Sequence, residues 1–118
     1  MDTESVIISL ARDFSATPGA RRRAQGRFSG EEFRDELILP AIKKGNVIVD
    51  LDRALGLPPS FLDEAFGVLL QAHPEFATRL HIELTDNLTA KQVLKECIEV
   101  RLNSAVARSV FGETLSQN

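Results

Sequence analysis

Val47-Ile48-Val49-Asp50-Leu51-Asp52 is the stretch on which the fold turns. Its apolar run, led by β-branched residues, is the kind that fills a strand buried on both faces of a sheet, and it is too short to be an ordinary helix. Gly45-Asn46 stops the element before it, while Gly56 and Pro58-Pro59 close the segment after it. The reading is a central strand.

Helices are predicted on either side. Ser29-Gly30-Glu31-Glu32 matches a capping box, and Phe33, Leu37 and Ile38 recur at helical spacing, so a helix is expected over about 30–43, disturbed at Pro40. On the far side, Ser60-Phe61-Leu62-Asp63 reads as a second capping-type start with Ser60 as the cap. Phe61, Ala65, Val68, Leu69 and Ala72 then form an apolar stripe that ends near His73-Pro74. Gly67 inside that helix costs about 1 kcal/mol relative to alanine, which points to the close approach of another backbone. Val6-Ile7-Ile8-Ser9-Leu10 reads as a first strand, and Leu80-His81-Ile82-Glu83-Leu84-Thr85 alternates as a half-buried strand should. Thr89 with Gln92 opens a last helix, expected over about 89–110.

The resulting order, βαβαβα, leaves room for an extra short strand in the loop between Phe14 and Phe28. It predicts an α/β fold in which helices flank a small mixed, mostly parallel sheet, because parallel strands need crossover connections. No repeat or linker divides the chain, so one domain is expected over 1–118, with its core at about 5–110 and a polar tail at 112–118.

Composition narrows the classes. At 118 residues, 43% hydrophobic and 26% charged, the chain matches soluble globular domains and can build a core without staples. Cys97 is the sole cysteine, which excludes an intrachain disulfide and a cysteine-built zinc site and favours a reducing compartment; the residue itself is expected in the core. The acidic start Met1-Asp2-Thr3-Glu4 and the interruption by Arg12 and Asp13 do not fit a signal peptide, and no apolar stretch is of membrane-spanning length. A soluble cytoplasmic protein without membrane contact is expected. Net charge is −3 and Tyr and Trp are absent, which argues against nucleic acid as a partner. The arginines are nevertheless clustered: Arg12, Arg21, Arg22, Arg23 and Arg27 all precede residue 30.

Several of these residues, taken in order, resemble a known family. Pro18-Gly19 with Arg21, Gly26-Arg27-Phe28-Ser29-Gly30-Glu31-Glu32-Phe33-Arg34, Leu39-Pro40, the Val47–Asp52 run, and Ser60-Phe61-Leu62-Asp63-Glu64-Ala65-Phe66-Gly67 are together similar to the bacterial STAS-like domains of unknown function, over roughly residues 6–85. The resemblance implies the fold of the anti-sigma-factor antagonists and a role as a regulatory, partner-switching module. In those antagonists a kinase-type partner phosphorylates a serine that opens the helix after a strand, and Ser60 occupies the similar place. The implied partner is a histidine-kinase-like ATPase, and the implied phosphoacceptor is Ser60. One departure is that Pro58-Pro59 stands before Ser60 and Phe61 after it, where the antagonists carry a glycine and a second hydroxyl residue.

Beside the phosphoacceptor reading stands a local one, in which Ser60 only caps its helix. The arginine loop (Arg21, Arg22, Arg23, Arg27), together with Pro59, Phe61 and Asp63, is read as a surface for an acidic protein face. The alternative is a small-ligand or enzymatic site using Asp50, Asp52, Asp63 and Glu64 at the end of the central strand. No histidine, cysteine or lysine accompanies those carboxylates at ligand or catalytic spacing, so the chain is read as non-enzymatic, without cofactor or metal. His73 and His81 stand alone, and Gly19, Gly26 and Gly30 lack the lysine of a phosphate-cradling loop. The last helix carries Val93, Leu94, Cys97, Ile98, Arg101, Leu102, Ala105 and Val106, broad enough to cover the sheet and to touch a second copy in a homodimer.

Overall fold

Three parallel strands form the sheet of a computed structural model that describes residues 5–113: β1 (Ser5–Ser9), β2 (Asn46–Asp50) and β3 (Leu80–Glu83), in that spatial order. The run read as the central strand is central. Val6 stands opposite Val47 and Ile8 opposite Val49, while Val49 pairs with Ile82 on the other side. Val47, Val49, Leu80 and Ile82 are buried, whereas Ile48 and His81 are half-buried and Ile7 is exposed. The sheet thus has one covered face, not the two expected. The extra strand does not form among the described residues; the segment instead makes a short 3₁₀ turn (Arg23–Gln25), with the Gly19 N–H donating to the Phe28 carbonyl. The acidic start and most of the polar tail lie outside the described residues.

A short helix α1 (Leu10–Asp13) follows β1. Helix α2 spans 30–42 and starts where the capping box predicts: the buried Ser29 Oγ accepts the Glu32 N–H at 3.0 Å, and the Glu32 carboxylate accepts from Phe28 N–H. Pro40 does not end it. The turn Arg34–Ile38 widens to a π-helix, with the Leu39 N–H reaching the Arg34 carbonyl, and the helix resumes over Leu39–Ile42. A widened turn makes room for a proline ring that would otherwise strike the carbonyl four residues back.

Helix α3 spans 59–72 and contains a second π-helical turn, Asp63–Gly67. A 3₁₀ turn (Pro74–Thr78) leads into β3. Helix α4 (Leu88–Arg101) is capped two residues before the predicted cap at Thr89, because the Asn87 side chain takes the Ala90 N–H. The long last helix is two: Asn103 caps α5 (Ser104–Val110) through the Val106 N–H.

The core joins the covered sheet face to α2, α3 and α4. Phe33 sits at its centre, with ring centroids 5.0 Å from Phe14, 5.9 Å from Phe61 and 6.3 Å from Phe66. Helices α2 and α3 meet closely at Gly30, where a Cβ would lie 2.6 Å from the Phe61 carbonyl oxygen and 3.0 Å from Glu64 Cβ. Helix propensity alone favours alanine there by about 1 kcal/mol. Because the obstacle is backbone, Gly30→Ala is expected to reverse that sign and lower the free energy of unfolding by about 1–3 kcal/mol, as measured by urea denaturation.

Candidate functional site

Adjacent residues of α3, Asp63 and Glu64, collect three arginines from three other parts of the chain. The Glu64 side chain is 4% exposed and accepts Arg21 Nη1 at 3.0 Å on one oxygen and Arg34 Nη1 at 2.6 Å on the other. Asp63 accepts Arg101 Nε at 2.8 Å and Nη2 at 2.7 Å, a two-pronged pair, and Arg21 Nη1 at 2.9 Å. Arg101 also donates to the Gln71 side-chain oxygen. The widened turn of α3 contributes: the Val68 N–H goes to the Asp63 carbonyl, and the Glu64 carbonyl accepts Arg34 Nη1 at 3.1 Å. Gly67 leaves room for this arrangement. A Cβ there would lie 2.6 Å from Asp63 Oδ1 and 3.0 Å from Arg101 Cδ, so side chains, not the backbone expected, are what approach it.

These groups are held charged. Hydrogen bonds from Arg101, with help from Arg21 and against the cost of burial, keep Asp63 below its ordinary pKa. For Glu64 burial is the largest influence and opposes ionisation, yet the bonds from Arg34 and Arg21 outweigh it and the pKa is lowered.

Asp63 and its two arginines form part of an open groove of about 630 Å³ between α3 and α4, with Pro59, Ser60, Gln71, Val93, Glu96, Cys97 and Val100 along its walls. Ser60 is half-buried and is not the cap of α3. Pro58 holds that position and Pro59 the first helical one, whose missing N–H costs nothing at a helix start, so the Ser60 hydroxyl serves no capping bond. Cys97, expected in the core, is half-buried on the groove wall, and burial raises its thiol pKa.

The predicted partner surface is only partly assembled. Arg21, Pro59, Ser60 and Asp63 share the groove. Phe61 does not join them: it is 0% exposed and packed against Phe33, so its ring belongs to the core. Arg22, Arg23 and Arg27 are exposed on the loop outside the groove lining; Arg23 pairs with Glu36 at 2.6 Å and Arg27 lies over the Phe28 ring. The carboxylates of the alternative site also separate. Asp52 clamps two loops, accepting the Thr85 N–H at 2.6 Å, the Thr85 hydroxyl at 2.7 Å and the Asp86 N–H at 3.1 Å; these bonds outweigh its burial and lower its pKa. Asp50 pairs with Arg53 at 3.3 Å, and among the described residues neither aspartate shares a partner with Asp63 or Glu64. Gln71 and Val100 carry no sequence signal, and Arg34 stands only within the stretch similar to the family, with no role read for it. Arg34 lies 30 residues from its acid, a pairing that no local pattern reveals.

A family model described as a STAS-like domain of unknown function (DUF4325) matches residues 29–89, from the Ser29 cap through α2, β2, α3 and β3 into α4. β1 and the arginine loop, which the sequence resemblance included, lie outside that match. No curated protein and no solved structure matches the chain. Among the described residues, no helix is long and apolar enough to cross a membrane.

Because Asp63 and Glu64 titrate below their ordinary values, near 4, the unfolded chain binds more protons than the fold on acidification. Stability from the cluster is therefore complete above those ordinary values and is lost as the pH falls through the depressed folded ones. Glu64→Gln removes the buried acid that Arg21 and Arg34 share, leaving Arg34 only the partly exposed Asp35 at 2.8 Å, and is expected to cost about 3 kcal/mol at neutral pH. It should also flatten the loss of stability between about pH 5 and pH 3, read from urea midpoints across that range.

Proposed function

The chain belongs to the family of STAS-like domains of unknown function, and from that premise we propose that it is a non-catalytic regulatory module that docks onto a protein partner and is switched by phosphorylation of Ser60. The observation that carries the reading is the position of Ser60. Its hydroxyl makes no capping bond, it stands in the first turn of α3, and it lines the open α3–α4 groove. The resemblance to the anti-sigma-factor antagonists supplies the kind of partner, a histidine-kinase-like ATPase.

In the switching step the Ser60 Oγ attacks the γ-phosphorus of ATP held by that partner. The bond to the β-phosphate oxygen breaks, ADP leaves, and the hydroxyl proton passes to a base on the kinase. The product carries about −1.5 to −2 charges at a helix start, which the helix dipole favours. The same charge enters the groove that holds Arg21 and Arg101, both already engaged by Asp63. It competes with Asp63 for those guanidiniums and reverses the character of the surface that the partner meets. Pro59 and the exposed Arg22, Arg23 and Arg27 complete the docking surface.

Incubation with the histidine-kinase-like ATPase and ATP is expected to place a single phosphate on Ser60, located by mass spectrometry, and none on Ser60→Ala. Ser60→Asp should weaken the complex about tenfold or more, a loss of about 1.4 kcal/mol, while Ser60→Ala keeps it. Phosphate on another residue, or none on the wild-type chain, would refute the switch.

A further inference from the structure

Helix α4 carries more apolar surface than its own fold uses. Ala90, Leu94 and Ile98 face the core and are at most 6% exposed. A second stripe, Val93, Cys97 and Val100, stands at i, i+4 and i+7 along the flank that faces α3, and all three line the groove. Val100 is 85% exposed, an aliphatic side chain at the rim left largely uncovered by the described residues. The stripe covers two helical turns, about 10 Å of axis. Pro59 and the side chains of Asp63 and Gln71 form the opposite wall on α3. Two helices with an apolar seam between them present the groove into which a third helix packs.

Charge decides which helix. On the α3 wall, Asp63 is matched by Arg21 and Arg101 and offers no free charge. The solvent-side flank of the stripe is Gln92 and Glu96; Glu96 takes the Gln92 amide at 3.0 Å and forms no ion pair with a described residue. A second copy of α4 laid antiparallel on the stripe would bring Glu96 against Glu96, so a homodimer through this face is disfavoured. We propose that the α3–α4 groove binds an amphipathic helix of the partner protein, with apolar residues at i, i+4 and i+7 and a lysine or arginine flank set against Glu96. The inference rests on the docking reading and names the partner element that enters; it does not require Ser60 to be phosphorylated.

The probes are two synthetic helical peptides of about 18 residues, five turns, with the same leucine stripe and either a lysine or a glutamate flank, titrated into the isotope-labelled full chain and followed by NMR. The lysine peptide is expected to shift amides of 59–71 and 93–101 and to bind about tenfold tighter than the glutamate peptide. Glu96→Lys should invert that preference. Val100→Asp should lose about tenfold in affinity with its urea midpoint unchanged, since the side chain is exposed. Equal affinity for the two peptides, no binding, shifts elsewhere, or peptide-free, concentration-dependent shifts on 93–100 would each overturn the proposal. The same variants separate it from the reading beneath it. If the complex with the ATPase survives Val100→Asp and Glu96→Lys but not Ser60→Asp, the helix inference falls and docking stands. If the lysine peptide binds as expected while no ATPase complex forms, the reverse holds.

Discussion

Glu64 is the constraint around which this structure is arranged. A carboxylate left 4% exposed is tolerable only when its charge is matched and both oxygens are bonded, and α3 places a second acid, Asp63, directly before it. Satisfying the two takes three guanidiniums. The nearest cations in sequence do not supply them; Arg21 comes from the loop, Arg34 from α2 and Arg101 from the end of α4. Each pair fixes a direction as well as a distance, so α3 becomes the post to which the loop, α2 and α4 are tied. The apolar core gives those elements their adhesion and is indifferent to small slides between them. The ion pairs, being directional, are not.

Both π-helical turns fall at this junction. One holds Arg34, the other holds Asp63 and Glu64. Extra-wide turns weaken a helix locally, and here each has an identifiable return: one accommodates Pro40, and the other frees the Glu64 carbonyl for Arg34. Gly67 and Gly30 belong to the same logic. The first clears the path of Arg101 over α3, and the second lets α2 approach the α3 backbone at Phe61.

What could be read from the sequence was what is local. The central strand announces itself through a short β-branched run, and the Ser29 cap through residues three apart; both form where they are read, although the strand is covered on one face only. Where two local signals compete, the earlier one sets the helix start. Pro58-Pro59 starts α3 ahead of Ser60, and Asn87 caps α4 ahead of Thr89, because a helix begins at the first residue able to support it. The break before α5 follows from Asn103, a cap inside an otherwise continuous apolar pattern. The candidate site was legible only in its α3 portion. Asp63 and Arg101 are 38 residues apart and Glu64 and Arg21 are 43 apart, and no periodicity links them. The cost of Gly67 was visible, but its cause was not, since the obstructing side chains arrive through tertiary packing. Phe61 stands both in the apolar stripe of its helix and in the expected partner surface, and what decides between them is packing against Phe33 and Phe14 from distant segments.

The cluster that holds the fold also faces the groove, and that double position links binding to stability. Ser60 and Asp63 are three residues apart on one helix, so their side chains lie on the same face, about 5–6 Å apart at Cβ. A negative charge added at Ser60 would repel the Asp63 carboxylate and draw on the same Arg21 and Arg101. Arg21 cannot respond freely, because one of its nitrogens, Nη1, bridges Asp63 and Glu64. Pulling it toward the groove would leave Glu64 with Arg34 alone, inside the protein. Arg101 has the looser hold: its partners are Asp63 and the exposed Gln71, and it can rotate toward the groove without stranding a buried acid. A charge arriving from a modified serine or from an acidic ligand would therefore be met first by Arg101, and the α3–α4 contact is the one that it would loosen.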